Sequence, residues 1–298
     1  MTGKDQRVSL VLGSGGARGL AHIGAIRCLE ERGCNIRYVA GSSMGALIGG
    51  IYAAGKLETY ETWVKELHAS DVLRLLDWSF SRGALFKGER IIEVLRNMIG
   101  DCNIEDLGIG YTAVATDLNS EREIWFTRGP LFDAIRASIA VPMVFAPVEQ
   151  GRQLLVDGGL TNPLPIAPTL NNNTDLTVAV DLNGRREHLA PEQNQDSAPD
   201  DAESAGYRER IARFLDTLLP DMSQAGLSEA PGAFDLMMRS LDTVQGTITR
   251  YKLAGYDANV VVRIPRNLCG FFDFQRAREL IRFGYRRTAE TLAKQGLE

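Results

Sequence analysis

Cysteine and histidine, the residues that most often build metal and redox centres, are scarce in this chain of 298 residues, with four of the first and three of the second. The cysteines form no Cys-x-x-Cys pair; they are Cys28, Cys34, Cys102 and Cys269. Such a pair is the usual mark of a zinc site or a redox-active dithiol. We therefore expect buried free thiols in a reducing compartment, and no metal.

Long apolar runs and basic clusters are also missing from the sequence. The apolar stretch 8–12, which follows a polar N-terminus, is too short for a signal peptide or a membrane span, and no later stretch reaches the length of a span. The net charge is -5, without a basic run or a nucleic-acid motif, which argues against a nucleic-acid partner. We expect a cytoplasmic protein that can touch the inner face of a membrane peripherally.

What is present is a globular composition, 44% hydrophobic and 24% charged, in a chain long enough to bury a core without disulfides or metals. Hydrophobic patterning predicts strands that alternate with helices. The strands are predicted at 8–12, 38–40, 111–116, 154–156, 176–181 and 260–264, and the helices between and after them include 20–32, 46–54, 57–76, 234–253 and 274–293. This alternation favours parallel strands joined by crossover helices, hence an α/β fold.

The sequence shows no internal repeat and no convincing linker, so we expect a single domain over residues 5–298. A polar stretch at 187–205 has one leucine, no aromatic residue and many acidic, Gln, Pro and Ser residues. This composition predicts a mobile surface excursion. The helices predicted at 207–219 and 234–253 have apolar sides, which either cover the core or form a lid or membrane-docking face.

A candidate nucleophile lies in the sequence Gly41-Ser42-Ser43-Met44-Gly45, which has the G-x-S-x-G pattern of a nucleophile elbow. In such an elbow, a sharp turn between a strand and a helix holds the serine in a strained conformation, and the glycines remove side chains that would clash. The pattern is short and occurs by chance, but here it follows a predicted strand and precedes a helix rich in small residues. We therefore predict Ser43 as a nucleophile.

The nucleophile needs a base, and two arrangements are possible. The order Ser43, Asp157, His188 matches the triad of an α/β-hydrolase. His188, however, opens the polar stretch, a poor place for a base that must hold its geometry. Of the other histidines, His22 is expected to pack in a helix and His68 to lie on the surface or in a groove. Asp157, at a strand end before two glycines, makes a serine–carboxylate dyad the better interpretation.

A glycine-rich loop, residues 13–19, lies between the first strand and the first helix and offers backbone N–H groups for an oxyanion. A dinucleotide-binding fingerprint is the rival interpretation, but its third glycine would fall at Arg18, and no acidic residue ends the second strand. A P-loop would need Gly-Lys-Ser/Thr, which is absent. The loop is therefore interpreted as an oxyanion loop.

Four segments in this order resemble the bacterial branch of the patatin-like phospholipase family. Residues 14–19 are similar to its G-G-G-x-R/K-G loop, with serine at the first glycine; the others are 41–45 (G-x-S-x-G), 137–147 (a helix-to-proline segment) and 157–159 (D-G-G), which Asn162 and Pro163 continue. The resemblance implies a three-layer αβα fold with a mainly parallel central sheet. It also implies hydrolysis of phospholipids or simpler esters through an acyl-enzyme, of phospholipase A, lysophospholipase or carboxylesterase type, with no metal and no cofactor.

The resemblance also implies roles for individual residues. Ser43 would attack the ester and Asp157 would take its proton. The amides of Gly15 and Gly16, with that of Met44, would form the oxyanion hole, and Arg18 would add positive charge or brace the loop. The supporting glycines are Gly41, Gly45, Gly158 and Gly159. The alternative is a catalytically weak regulatory or interaction protein on the same fold, which would bind a partner through the excursion and the helix after it.

Overall fold

The computed structural model describes residues 6–77, 84–188 and 233–297. Its helices are α1 (Ala21–Glu31), α2 (Met44–Ala53), α3 (Leu57–Lys65), α4 (Ala69–Leu75), α5 (Glu89–Ile99), α6 (Leu131–Ser138), α7 (Ala233–Gly255) and α8 (Ala277–Lys294). Its strands are β1 (Arg7–Leu12), β2 (Asn35–Ser42), β3 (Ala84–Phe86), β4 (Gly110–Asp117), β5 (Arg122–Phe126), β6 (Met143–Phe145), β7 (Val148–Gln150), β8 (Gln153–Asp157), β9 (Leu176–Gly184) and β10 (Val260–Pro265).

Most predicted elements are found, with shifted ends. The helix predicted at 57–76 is two helices, α3 and α4. The predicted excursion at 187–205 lies outside the described residues except for its first two, and the predicted helix 207–219 lies outside them entirely.

The central sheet has eight strands, five of which are parallel neighbours in the order β10-β9-β1-β2-β4. The other three are antiparallel: β5 and β8 both pair with β4, and β7 pairs with β8. Strands β3 and β6 form a separate parallel pair. The mainly parallel α/β fold predicted from the sequence is confirmed.

Alternate residues of the central strands face two different hydrophobic clusters. On β1 and β9, Leu10 and Val178 belong to a large cluster shared with α1, α2 and α8. Val11 and Ala179 belong to a smaller cluster on which Leu253 of α7 packs. Successive side chains of a strand point to opposite faces of its sheet. Helices therefore cover both faces, which makes the three layers of an αβα sandwich.

Helices α1 and α8 cross closely on one face. A Cβ atom added to Gly24 of α1 would lie 1.9 Å from the Ile281 carbonyl oxygen. One added to Gly284 of α8 would lie 2.0 Å from the Ala21 carbonyl oxygen. The two glycines let the helix backbones approach in a way that no other residue allows.

Strands β2 and β8 share one edge of β4. Strand β2 ends at Ser42, opposite Val114 of β4, and β8 ends at Asp157, opposite the next residue, Ala115. Strand β5 pairs with these same β4 residues, so it occupies the other edge. Strands β2 and β8 therefore meet end to end, which brings the turn after β2 next to the last residue of β8.

Candidate active site

Ser43 lies in the turn between β2 and α2 with φ 54° and ψ −123°, a strained conformation for a residue with a side chain. The flanking glycines permit the turn. A Cβ atom on Gly41 would lie 2.3 Å from the Gly45 carbonyl oxygen, and one on Gly45 would lie 2.0 Å from the Leu12 carbonyl oxygen. The spacing of the two glycines thus reflects two backbone contacts, and Ser43 stands at the N-terminus of α2.

The backbone of Ser43 is held by a residue that the sequence analysis missed. Its N–H donates to Ser138 Oγ at 2.9 Å, and the Ser138 hydroxyl donates to the Val114 carbonyl of β4 at 2.6 Å. All three groups are buried. Ser138 lies in the segment 137–147 that resembled the family pattern, but nothing in the sequence indicated this contact.

Asp157 is buried beside Ser43. Its Oδ1 accepts a hydrogen bond from the Gly159 amide at 2.7 Å, and its own amide donates to the Ala140 carbonyl at 2.9 Å. Gly158 allows the approach to β4, since a Cβ there would lie 2.0 Å from the Val114 oxygen. The carboxyl group is thus fixed by backbone contacts on both sides.

The environment of the Asp157 carboxyl alters its acidity. Burial raises its pKa to about 7, against the opposing effects of the Ser43 hydroxyl and the Gly159 amide. Its Oδ2 has no hydrogen-bond partner of normal geometry among the described residues. The Ser43 hydroxyl lies near enough to lower the pKa of this carboxyl group, although no hydrogen bond of normal geometry joins it to Oδ2.

The histidines lie apart from this pair. His22 is buried, its Nε2 lies 2.8 Å from the Gly13 carbonyl oxygen, and burial lowers its pKa to about 4. His68 and His188 are exposed. No histidine is among the described residues that line either cavity containing Ser43. The structure brings Ser43 together with Asp157 and not with a histidine.

The glycine-rich loop has two free backbone amides, and the amides on either side of them donate hydrogen bonds to other parts of the chain. Ser14 N–H donates to the Pro163 carbonyl and Ala17 N–H to the Phe271 carbonyl, both at 2.9 Å. The amides of Gly15 and Gly16 between them make no hydrogen bond to another described residue. Gly16 has φ +56°, and a Cβ there would lie 2.6 Å from the Phe271 ring. Glycine is therefore required at this position.

Met44 supplies a third amide. It is the first residue of α2, where backbone N–H groups have no partner within the helix. Its amide makes no hydrogen bond to other residues in the described part of the chain. The helix dipole adds positive potential at this point, beside the nucleophile.

Arg18 braces the loop. Its Nε donates to the Gly15 carbonyl at 3.1 Å, and its guanidinium pairs with Asp242 of α7 at 2.7 Å and donates to the Arg266 carbonyl at 2.7 Å. These contacts join the loop to α7 and to the Arg266 backbone. No sequence pattern links Asp242 to the loop, so this contact was not predicted.

Two cavities lined by described residues meet at Ser43. The first, which we name the apolar cavity, has about 810 Å³ of empty space, including the part open to solvent, and runs between α2, α3, α4, α5 and the segment 271–274. Its described lining contains no charged side chain. The second measures about 290 Å³ and includes Asp157; we name it the α7 chamber because Met238, Leu241, Asp242 and Gln245 of α7 line it.

The cysteines, the potential metal ligands and the longest helices relate to the expectations drawn from composition. All four cysteines are free, but Cys28 alone is buried and the others are partly exposed. Within residues 6–77, 84–188 and 233–297, no cluster of three or more potential metal ligands occurs. No helix in these ranges has both the length and the apolar character needed to cross a membrane.

Comparison with known proteins gives the family. VipD from Legionella pneumophila aligns with 97% of this chain, over 67% of its own, with TM-score 0.46 and 13% identity. Neuropathy target esterase sws of Drosophila melanogaster is 32% identical over 59% of this chain and 13% of its own length. An uncharacterized NTE family protein of Mycobacterium tuberculosis is 40% identical, covering 98% of this chain and 91% of the relative. The patatin-like phospholipase family model matches residues 10–170. On the family model and the mycobacterial relative, the chain belongs to the patatin-like phospholipase family.

Proposed function

We propose that this protein is a serine acyl hydrolase that cleaves lipid acyl esters through a Ser43–Asp157 dyad. The position of Ser43 is the observation that carries the proposal. Ser43 lies in a strained elbow beside a buried carboxyl group and lines the apolar cavity. The free amides of Gly15, Gly16 and Met44 supply the third requirement, a group of donors for negative charge.

The reaction would proceed through an acyl-enzyme. Ser43 Oγ attacks the ester carbonyl carbon while its proton passes to Asp157, and the oxyanion accepts hydrogen bonds from the loop amides. When the tetrahedral intermediate collapses, the carbon–oxygen bond to the alcohol breaks, and the alcohol leaves with the proton from Asp157. A water molecule then attacks the acyl-enzyme as Asp157 takes its proton, and the carboxylic acid leaves as Ser43 regains a proton.

The acidity of Asp157 suits both directions of proton transfer. A catalytic group is most effective when its pKa lies near the working pH, since it must accept a proton and return it. Burial raises the pKa of Asp157 to about 7. An exposed aspartate, about three units more acidic, would hold the proton of Ser43 much less well.

The apolar cavity supports a lipid substrate. Its lining is apolar, and side chains such as Trp63, Leu95 and Phe272 would remove an acyl chain from water. Membership in the patatin-like phospholipase family and the esterase named among the relatives agree with this substrate class.

Active-site labelling tests the proposal. A fluorophosphonate probe should modify the wild-type protein at Ser43 and should not modify Ser43→Ala. Neighbouring Ser42, which is buried in β2, provides the matched control, because Ser42→Ala should still be labelled. An unlabelled wild type would contradict the proposal.

Turnover of a p-nitrophenyl ester separates the two possible bases. Asp157→Asn should reduce kcat by at least about 1,000-fold, while His188→Ala should keep full activity. Loss of activity in His188→Ala would restore the triad that the sequence left open.

A further inference from the structure

The α7 chamber lies directly beside the reacting centre. Ser43, Gly16, Val141 and Phe271 line both this chamber and the apolar cavity, so they form the boundary between the two. An ester has two arms, the acyl chain and the alcohol, which diverge from the carbonyl carbon. With the acyl chain in the apolar cavity, the α7 chamber is the neighbouring space, among those lined by described residues, that can take the alcohol.

The charges around the chamber disfavour an anionic alcohol. Arg18 is its only cationic side chain among the described residues, and each guanidinium nitrogen already donates, to Gly15, Asp242 or Arg266. Asp242, which pairs with Arg18, and Asp157 also line the chamber and contribute two carboxyl groups. A phosphate group would find no uncommitted cation among the described lining residues and would lie near two acidic side chains. A desolvated charge without a partner is strongly disfavoured.

The chamber does offer a neutral hydrogen-bonding group. Gln245 accepts a hydrogen bond from the Ser14 hydroxyl through Oε1 at 2.9 Å, which fixes its side chain. Its Nε2 makes no hydrogen bond to another described residue, and it would lie 2.7 Å from a Cβ placed on Gly159, next to Asp157. This N–H₂ group is thus available to a hydroxyl group near the leaving oxygen.

The lining of the chamber agrees with a small polyol. Met238 and Leu241 offer apolar contacts for its carbon atoms, beside the polar side chains of Gln245 and Ser14. We propose that the α7 chamber binds the uncharged glycerol moiety of acylglycerols in preference to phosphate-bearing head groups, with Gln245 Nε2 as the specificity-determining donor. This inference rests on the proposed hydrolase function.

The preference is tested with the full-length protein and three lipids that share one oleoyl chain, each presented in the same neutral detergent micelles: monooleoylglycerol, oleoyl lysophosphatidylcholine and oleoyl lysophosphatidic acid. We expect kcat/KM for the glyceride to exceed that for lysophosphatidic acid by about tenfold or more. Equal rates, or faster hydrolysis of either phospholipid, would overturn the inference. Fluorophosphonate labelling of Ser43 in the same samples shows whether the protein is an active serine hydrolase. A failure of the proposed function is thereby distinguished from a failure of the head-group preference.

Two substitutions in α7 test the residues of the chamber. Gln245→Leu should lower the rate on monooleoylglycerol relative to p-nitrophenyl oleate about tenfold, because only the glyceride loses a hydrogen bond. Val244→Ala, on the exposed side of α7, should leave this ratio at the wild-type value. An unchanged ratio in Gln245→Leu would exclude the role of Nε2.

Two substitutions at Met238 test whether charge in the chamber decides between the head groups. Met238→Lys introduces a cation of similar length into the chamber and should raise the rate on lysophosphatidic acid relative to monooleoylglycerol by about tenfold. Met238→Gln, which is polar but uncharged, should not raise it. If both variants keep the wild-type ratio, the head group does not enter the α7 chamber and the inference is wrong.

Discussion

Replacing Asp157 by asparagine should stabilise the protein, and the gain should be larger at pH 8 than at pH 5. The carboxyl group has a pKa of about 7 in the folded protein, compared with 3.8 for an ordinary aspartate. Because the folded-state value is the higher one, the folded protein loses stability as pH rises from about 4 to 7. Asparagine is neutral at every pH and escapes this loss, while its side-chain oxygen can still accept from Gly159.

The magnitude follows from the two pKa values. Each unit of difference corresponds to about 1.4 kcal/mol, so the full penalty above pH 7 is about 4 kcal/mol. Between pH 5 and pH 8, the advantage of Asp157→Asn over the wild type should grow by about 2–3 kcal/mol. Any constant difference in packing between the two side chains cancels in this comparison.

Urea unfolding followed by intrinsic fluorescence at pH 5, 6.5 and 8 measures the effect. Asp117→Asn is the matched control, because Asp117 is also a buried carboxylate at the end of a sheet strand. The Ser120 hydroxyl and the amides of Leu154 and Asn119 lower the pKa of Asp117. The contribution of Asp117 is therefore complete above pH 5, and the effect of its replacement should be flat. An equally flat difference for Asp157→Asn would refute the reasoning from burial.

Four further predictions concern catalysis and packing. The kcat/KM of the wild type should fall about tenfold per pH unit below pH 7 and level off above it, since Asp157 must be ionised to accept a proton; a constant rate from pH 5 to 9 would exclude it as the base. Gly16→Ala places a methyl group 2.6 Å from an aromatic ring and should lower kcat at least about 100-fold. Ser138→Ala leaves the amide of the nucleophile unpaired and should lower kcat about tenfold with KM little changed; a change confined to KM would contradict a positioning role. Gly24→Ala should lower the free energy of unfolding by about 2–3 kcal/mol in urea, whereas Gly108→Ala, with no atom within 4 Å of the added carbon, should not.

Much of the candidate site was predictable because its parts are local in sequence. The turn around Ser43 needs glycine at two fixed positions, and each requirement comes from a backbone contact within or beside the turn. Asp157 likewise precedes two glycines that let the chain approach β4 and the glycine-rich loop. Hydrophobic alternation with helices was enough to indicate the parallel sheet, since each strand is a short buried run.

The supporting contacts were not predictable, because they join residues that are far apart in the chain. Ser138 holds the Ser43 amide across 95 positions, and Asp242 holds Arg18 across 224. A single serine or aspartate in a helix has no distinguishing neighbours, so no pattern marks it. The position of Gln245 at the active site depends in the same way on how α7 packs. The amphipathic sequence of α7 was compatible with a helix that covers the core and with a lid, so it did not predict this position.

Strands β2 and β8 pair with consecutive stretches of the same edge of β4, and this pairing fixes the distance between Ser43 and Asp157. Because Val114 and Ala115 are consecutive residues of β4, the separation of the serine turn from the carboxylate is set by one step of a hydrogen-bonded ladder. Surface turns in the chain that connects β4 to β8 can then change length without moving either group, as long as Ser138 and Ala140, which lie in this chain, keep their contacts with Ser43 and Asp157. The feature that fixes the distance between the two groups is one strand, β4, which pairs with both partner strands on the same edge.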